Sequence, residues 1–318
     1  MASTKRLVKS FYRLFFPIII LVLVAFGGAS IWLVQKSITA PTAPYLMKPE
    51  QYGLLSTRGA KITDETWVNK DGSMARGWLL RGAEGQPAIV MLHRYGADRS
   101  WVLNLGVKLN EATDFTILMP DLRGHGENPL VKWTSLGGNE GDDVLASLDY
   151  LKTLKSENNM PLVSKDFGIY GVELGGLAGM SATSREVNIK VLAVDSIPHD
   201  SNELLASIID KRFPFASAVT AKIAQGGTYP YFYSGGFNRE SMCDLAKMIA
   251  NRKVFMLAGN DTPNLQASTS EIAGCFPNPA LVEKKVDLLP AGYNMANASN
   301  EQSEMYDQRV IEFFKKSF

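Results

Sequence analysis

The clearest pattern in the chain is a set of short apolar runs separated by segments of helical periodicity. Five runs have the length of buried strands: Ala88 to Leu92, Thr116 to Met119, Phe167 to Tyr170, Val191 to Val194 and Val254 to Ala258. Runs without polar alternation are typical of parallel strands that helices cover on both faces. Between them, Val144, Leu148 and Leu151 recur at the spacing of one helix face. The pattern predicts an α/β fold with a mostly parallel sheet, connected by right-handed crossovers.

Two strands of a different kind precede this set. Ile62 to Asn69 and Met74 to Leu80 are separated by the turn residues Asp71 and Gly72, which favours a hairpin. We expect this hairpin to form an antiparallel edge at the N-terminal side of the sheet. The interval 196–250 contains no clear strand, and a segment of this length can form a cap over the active-site end of such a fold.

The N-terminus contains an apolar run of transmembrane length, from Phe15 to Val34, without a charged side chain. Four basic residues and no acidic residue precede it: Lys5, Arg6, Lys9 and Arg13. This asymmetry predicts that residues 1–14 are cytoplasmic and that residues 15–34 form a single-pass transmembrane helix. The remainder would be extracytoplasmic at the cell membrane, in the periplasm if the organism is Gram-negative.

A cleaved signal peptide is the competing interpretation of this run. Small residues at Gly27, Gly28 and Ala29, or near Ala40, offer cleavage sites. The run is long for a signal peptide, so we interpret it as a retained signal-anchor. Residues 35–52, with three prolines, form the predicted linker, and residues 53–318 form the soluble domain.

Composition narrows the classes of partner. With 33 basic and 32 acidic side chains, the formal charge of +1 provides no field for binding nucleic acid.

Cys243 and Cys275 are the only cysteines and lack the neighbours of a metal site, and we predict neither a metal nor a cofactor. In an oxidising compartment the pair can form a disulfide, and two buried thiols are the alternative.

Two motifs after the predicted strands resemble loops of a known superfamily. The first is Leu92-His93-Arg94-Tyr95-Gly96, and the second is Asp121-Leu122-Arg123-Gly124-His125-Gly126. In this order they resemble the HGxG oxyanion loop and the DxRGHG turn of the α/β-hydrolases, in particular bacterial serine hydrolases with an N-terminal membrane anchor. The resemblance covers about residues 50–318. It implies that His93, Arg94 and Tyr95 form the oxyanion loop, whose backbone N–H groups help to bind the oxyanion.

The superfamily's nucleophile position is occupied by a glutamate. Gly171-Val172-Glu173-Leu174-Gly175-Gly176 stands where the GxSxG elbow belongs. The elbow reverses the chain sharply between strand and helix, and Gly171 and Gly175 provide the small residues that this geometry requires. The resemblance therefore places Glu173 where the catalytic serine is expected.

The other two positions of a catalytic triad are a standard acid and an unusual base. Asp261 follows the run Val254 to Ala258 and resembles the triad acid, with an ordinary turn aspartate as the alternative. Tyr293 follows Gly292 where the superfamily has a Gly-His pair. The chain has three histidines. Two lie in the motifs above at non-catalytic positions, and His199 is predicted to lie in a loop.

Arg94 also differs from the superfamily's oxyanion-loop motif, since it replaces the glycine that normally follows the loop histidine. We hypothesise that its guanidinium pairs with the Glu173 carboxylate across the cleft. Alternatively, Arg94 points to solvent and Glu173 meets water and helix N–H groups.

The sequence supports two hypotheses for function. The first is a pseudoenzyme, a non-catalytic binding or scaffolding module that holds a small-molecule or protein ligand in the old cleft. The second is an active hydrolase of unusual mechanism, either esterase- or peptidase-like or with Glu173 as a carboxylate nucleophile. Such an enzyme needs a base to release the covalent intermediate, and a tyrosine with an ordinary pKa near 10 is a poor base at neutral pH.

Overall fold

A computed structural model of the chain describes residues 2–49, 59–215 and 217–318. The chain divides into a larger unit, Ile38–Leu204 with Gly236–Phe318, and a smaller unit, Met1–Ser37 with Leu205–Gly235. In the described part of the chain, the larger unit contains the sheet and the smaller unit is helical.

The larger unit is built on one sheet of eight strands among the residues described. The strands are β1 (Ile62–Val68), β2 (Met74–Leu80), β3 (Gln86–Leu92), β4 (Thr116–Pro120), β5 (Val163–Val172), β6 (Ile189–Asp195), β7 (Lys253–Gly259) and β8 (Val282–Leu288). Their order across the sheet is β1-β2-β4-β3-β5-β6-β7-β8. The β1–β2 and β2–β4 pairs are antiparallel, and the other neighbours are parallel. The predicted parallel sheet with an antiparallel N-terminal edge is confirmed.

Helices connect and cover the strands. They are α1 (Ala2–Ile38), α2 (Leu103–Thr113), α3 (Asn139–Thr153), α4 (Leu174–Arg185), α5 (Ser201–Arg212), α6 (Ser217–Tyr231), α7 (Met242–Met248), α8 (Pro263–Ala273) and α9 (Asn300–Ser317). The predicted helix face is buried, because Val144, Leu148 and Leu151 point into the core from α3. The side chains of β3 from Ile89 to Leu92 are fully buried on both faces, which explains the absence of alternation in that run.

The interval 196–250 contains α5, α6 and α7 and no strand among its described residues. A disulfide joins Cys243 in α7 to Cys275, which follows α8, with their Cα atoms 5.2 Å apart. Of the two alternatives for these cysteines, the structure therefore has the bridge rather than two thiols.

The smaller unit contains α1, which is one continuous helix through Ile38. Its segment from Arg13 to Ile38 is long and apolar enough to cross a membrane. The side chains from Arg13 to Phe26 are exposed, whereas Ser30, Leu33, Val34 and Ser37 are buried.

Candidate functional site

The elbow consists of a single residue between a strand and a helix. β5 ends at Val172 and α4 begins at Leu174, so Glu173 alone makes the reversal, with φ 48° and ψ −102°. A non-glycine residue in such a conformation costs on the order of 1–3 kcal/mol and persists only where its surroundings enforce it. The Glu173 N–H donates to the Asp195 carbonyl oxygen at 3.0 Å, which ties the reversal to the end of β6.

The two flanking glycines leave room for this reversal. A Cβ atom on Gly171 would lie 2.3 Å from the Gly175 carbonyl oxygen, and a Cβ atom on Gly175 would lie 2.5 Å from the Leu92 carbonyl oxygen. Both obstacles are backbone atoms, which cannot move aside as a flexible side chain can. The predicted elbow geometry at these two positions is therefore present.

Alanine at Gly175 and alanine at Gly176 should have opposite effects on stability. We expect Gly175→Ala to lower the free energy of unfolding by roughly 1–3 kcal/mol or more, because its methyl group meets backbone. At Gly176, in the same helix, the nearest atom to an added Cβ is an Ile197 side-chain carbon at 3.5 Å. Gly176→Ala should be neutral or stabilising by up to about 1 kcal/mol. Urea denaturation of both variants measures the contrast, and similar losses at both positions would contradict this account of the elbow.

The Glu173 side chain turns inward, and only 2 % of the residue's surface is exposed. Its Oε2 atom accepts a hydrogen bond from the Tyr95 backbone N–H at 3.0 Å. Tyr95 belongs to the loop after β3, the loop that contributes a backbone N–H to the oxyanion hole in α/β-hydrolases. A carboxylate oxygen of the protein therefore lies within hydrogen-bonding distance of that donor.

The predicted ion pair between Arg94 and Glu173 is wrong for the described part of the chain. The Arg94 Cζ atom lies 4.4 Å from the ring centroid of Trp101 and 5.0 Å from that of Tyr293, and Nη1 donates to the Tyr95 carbonyl oxygen at 3.1 Å. A planar, weakly hydrated guanidinium is attracted to aromatic faces. The two rings thus hold the cation, and the Tyr95 N–H meets the carboxylate instead.

His93 and His125 are fully buried and hold the loops around the elbow. His93 Nδ1–H donates to the Arg94 carbonyl oxygen at 2.8 Å, and Nε2 accepts from the Leu122 N–H at 3.0 Å. His125 Nδ1–H donates to the Arg123 carbonyl oxygen at 2.9 Å. Burial lowers the pKa of His93 and lowers that of His125 to about 3. Both rings are therefore neutral, and both His93 nitrogens are occupied.

His199 lies in the loop between β6 and α5, as predicted. Its side chain is 39 % exposed, and Nε2 lies 3.5 Å from a Glu271 carboxylate oxygen. The hydrogen bonds of His93 and His125 and the ion pair of His199 are thus formed with groups other than the Glu173 carboxyl group.

Asp261 contacts the loop after β8 but through an unexpected residue. Its Oδ2 atom accepts from the Asn294 amide at 2.8 Å, and Oδ1 accepts from the Ala291 N–H at 3.2 Å. Tyr293 lies in a short 3₁₀ helix, Gly292–Asn297, and is 8 % exposed with its ring near Arg94. The side chain next to the acid is thus that of Asn294, one residue beyond the predicted base position.

Asp195 is a component of the site that the sequence interpretation missed. It ends β6 opposite Val172 and is fully buried. Its Oδ2 atom accepts from the Gly292 N–H at 3.1 Å and from the Tyr306 hydroxyl at 2.9 Å, and burial raises its pKa. A carboxylate at the carboxyl end of the strand beside the elbow was a readable signal, because ligands of open α/β sheets bind at that edge. Trp101 and Asn294 gave no comparable signal.

Two further features bear on binding. Among the residues that the structure describes, no group of three His, Cys, Asp or Glu side chains is placed to hold a metal ion. A cavity of about 210 Å³ adjoins Trp101 and Gly292. Its apolar wall includes Leu105 and Met295, and the Tyr306 side chain also lines it.

Comparisons with known proteins agree with this geometry at the level of the fold. No family model and no curated protein matches the sequence. Among solved structures, an esterase of Pyrococcus furiosus has 20 % identity and a TM-score of 0.64 over 88 % of this chain and 98 % of its own. An α/β-hydrolase from Penicillium sp. sh18 has 14 % identity and a TM-score of 0.57 over 81 % and 99 %. A carboxyl esterase from Bacillus coagulans, solved in complex with glycerol, has 10 % identity and a TM-score of 0.54 over 80 % and 98 %.

These identities are too low to carry over an activity, and the likeness concerns the course of the backbone. The chain therefore has the α/β-hydrolase fold.

Proposed function

We propose that this chain is a membrane-anchored protein of the α/β-hydrolase fold that does not catalyse hydrolysis and serves as an extracytoplasmic binding or scaffolding module. The observation that carries the proposal is the hydrogen bond from the Tyr95 N–H to the Glu173 carboxylate. The residue at the nucleophile position has no hydroxyl, and its own carboxyl group occupies a donor that a hydrolase of this fold keeps for the reaction.

This arrangement opposes catalysis in two ways. Donors of an oxyanion hole accelerate acyl transfer because they bind charge that develops in the transition state. A donor that already binds a side-chain oxygen of the resting protein is not available to the transition state, and loss of one donor costs about 10²–10³-fold in rate. Nucleophilic attack also requires a base within hydrogen-bond reach, and the contacts of His93, His125 and His199 lie elsewhere.

The carboxylate-nucleophile hydrolase is less well supported. A substrate carbon would have to reach a side chain whose residue is 2 % exposed. The resulting ester would then need a base to activate water, and both oxygens of Asp261 already accept hydrogen bonds from Asn294 and Ala291. A covalent adduct on Glu173 after incubation with substrate would favour this alternative.

The cavity beside Trp101 is the candidate ligand site of the proposed module. It combines apolar side chains with the hydroxyl-bearing residues Ser100, Ser303 and Tyr306. Pockets of this composition bind small amphipathic molecules, with the polar groups fixing their orientation.

Turnover of esters by the purified protein tests the proposal. We expect the wild type and Glu173→Gln to hydrolyse a panel of p-nitrophenyl esters at the same rate as buffer alone, because Glu173 has no catalytic role. Glu173→Gln is a matched control, since its amide oxygen can still accept from the Tyr95 N–H. Turnover above background that this variant abolishes would make the protein an enzyme that uses Glu173.

The membrane topology gives a second test. The basic residues before the helix Arg13–Ile38 and the Cys243–Cys275 bridge both support an extracytoplasmic domain. Protease added to intact spheroplasts should digest residues 39–318, and membrane fractions should retain the uncleaved chain. Protection from protease would contradict the orientation. Release of the domain into the soluble fraction would instead favour a cleaved signal peptide.

A further inference from the structure

The smaller unit contains a tight contact between the apolar helix and α6. A Cβ atom on Gly227 would lie 2.5 Å from the Ser30 carbonyl oxygen. The neighbouring positions on the buried face of α6 are also small: Ala221, Ala224 and Thr228. Small residues that allow two helix backbones to approach are typical of helix pairs in membranes. Helix α6 is thus packed on α1 close to the end of its apolar run.

The direction of α6 follows from two contacts. Gly227 meets Ser30, and the Tyr231 hydroxyl donates to the Gln35 side chain. The two pairs advance in the same direction along both helices, so α6 and α1 run parallel where they meet. The turn before α6 lies beside the C-terminal end of the apolar run, because the Phe213 ring is 5.7 Å from the Trp32 ring and the Arg212 guanidinium donates to the Lys36 carbonyl oxygen.

This turn and the first helical turn present large apolar side chains to the outside. Phe215 is 92 % exposed and Val219 is 63 % exposed. Trp32, at the end of the apolar run, is 50 % exposed, and tryptophan is enriched at the level of lipid headgroups. An apolar surface that is continuous with a membrane-spanning helix needs an apolar neighbour.

Basic side chains predominate around this surface, although the exposed Asp210 adjoins it. Residues 211–238 contain three basic side chains and no acidic one. These three, Lys211, Arg212 and Lys222, are exposed. Basic residues beside apolar side chains are the pattern of an element that lies in the interface of a bilayer with anionic lipids.

We propose that residues 211–215 and 217–222 form a second membrane contact, in addition to the transmembrane helix. Phe215 and Val219 enter the boundary between headgroups and acyl chains, about 5–10 Å deep, and the basic side chains face the phosphates of anionic phospholipids. This inference rests on the proposed membrane anchoring. It assigns the described part of residues 211–222 to the interface of the bilayer.

Depth-dependent quenching in vesicles tests the proposal on the full-length protein. Because both native cysteines form the disulfide, Ala218→Cys provides a single thiol, on an exposed position of α6, for an environment-sensitive fluorophore. The same label at Leu21→Cys reports on the anchor, and at Met160→Cys, which is 54 % exposed in the larger unit, it reports on solvent. Vesicles of phosphatidylcholine and phosphatidylglycerol carry a nitroxide near the top of the acyl chains.

We expect the label at position 218 to be quenched by the lipid nitroxide and shielded from aqueous iodide, in contrast to the label at 160. Phe215→Ser should reduce the lipid quenching at 218 and leave that at 21 unchanged, and vesicles of phosphatidylcholine alone should reduce it as well. Iodide quenching at 218 equal to that at 160 would overturn the second contact. Solvent exposure of the label at position 21 would show instead that the anchor itself is wrong.

Discussion

Replacing Glu173 with serine should not turn this protein into an efficient esterase. Serine restores the hydroxyl and vacates the Tyr95 N–H, but the hydrogen bonds of His93 and His125 and the ion pair of His199 connect none of these rings to position 173. Enzymes that lose one triad member keep only about 10³–10⁴-fold acceleration over water. We therefore expect Glu173→Ser to remain at or below that level with p-nitrophenyl acetate, several orders of magnitude below an intact triad.

A histidine added to this variant should raise the esterase activity more at position 294 than at position 293. Asp261 Oδ2 already accepts from the side chain at position 294, so a histidine there would be oriented by the acid. We expect Glu173→Ser with Asn294→His to exceed Glu173→Ser with Tyr293→His in kcat/KM. Higher activity of the second double variant would show that the acid acts through position 293. A single Glu173→Ser variant as fast as either would reveal a base that this account lacks.

The buried His125 should make the fold sensitive to acid. Its pKa is lowered by burial to about 3 in the folded protein, whereas it is about 6.5 in an unfolded chain. Between these values the unfolded chain binds a proton that the folded protein does not, so stability is lost as the pH falls from about 6.5 to about 3. The loss from this one residue is up to about 1.4 kcal/mol per pH unit.

His125→Asn should remove this contribution, since asparagine does not titrate and its amide can donate to the Arg123 carbonyl as Nδ1 does. Free energies of unfolding of the wild type and the variant, measured in urea from about pH 8 to about pH 4, should differ by a constant above about pH 7. Below about pH 6.5 the difference should shift in favour of the variant. Curves that stay parallel down to about pH 4 would contradict the neutral, buried state of His125.

The strands and the elbow were predictable because they depend on local patterns. Fully buried strands such as β3 produce apolar runs, and the predicted bounds of β2 agree with the structure. The elbow was located because only small residues fit at Gly171 and Gly175, and strand order fixes where such a turn occurs.

The contacts of charged side chains in the site depend on tertiary packing and were less predictable. Arg94 meets rings from two distant segments, Trp101 and Tyr293, which no spacing in the sequence brings together. The partner of Asp261 was missed by one residue because the short helical segment after β8 is kinked at Asn294, whose φ of −110° and ψ of 21° are not helical. A kink of this kind is set by tertiary packing, so the spacing in the sequence could not tell which of two neighbouring side chains reaches the acid.

The intact mass of the native protein after incubation with a fluorophosphonate shows whether the elbow is catalytic. This reagent forms a stable adduct with an activated serine hydroxyl. We expect no adduct, because the elbow residue is Glu173 and its carboxylate accepts from the Tyr95 N–H. One adduct per chain that disappears when a particular serine is replaced would contradict the account and would identify the true nucleophile.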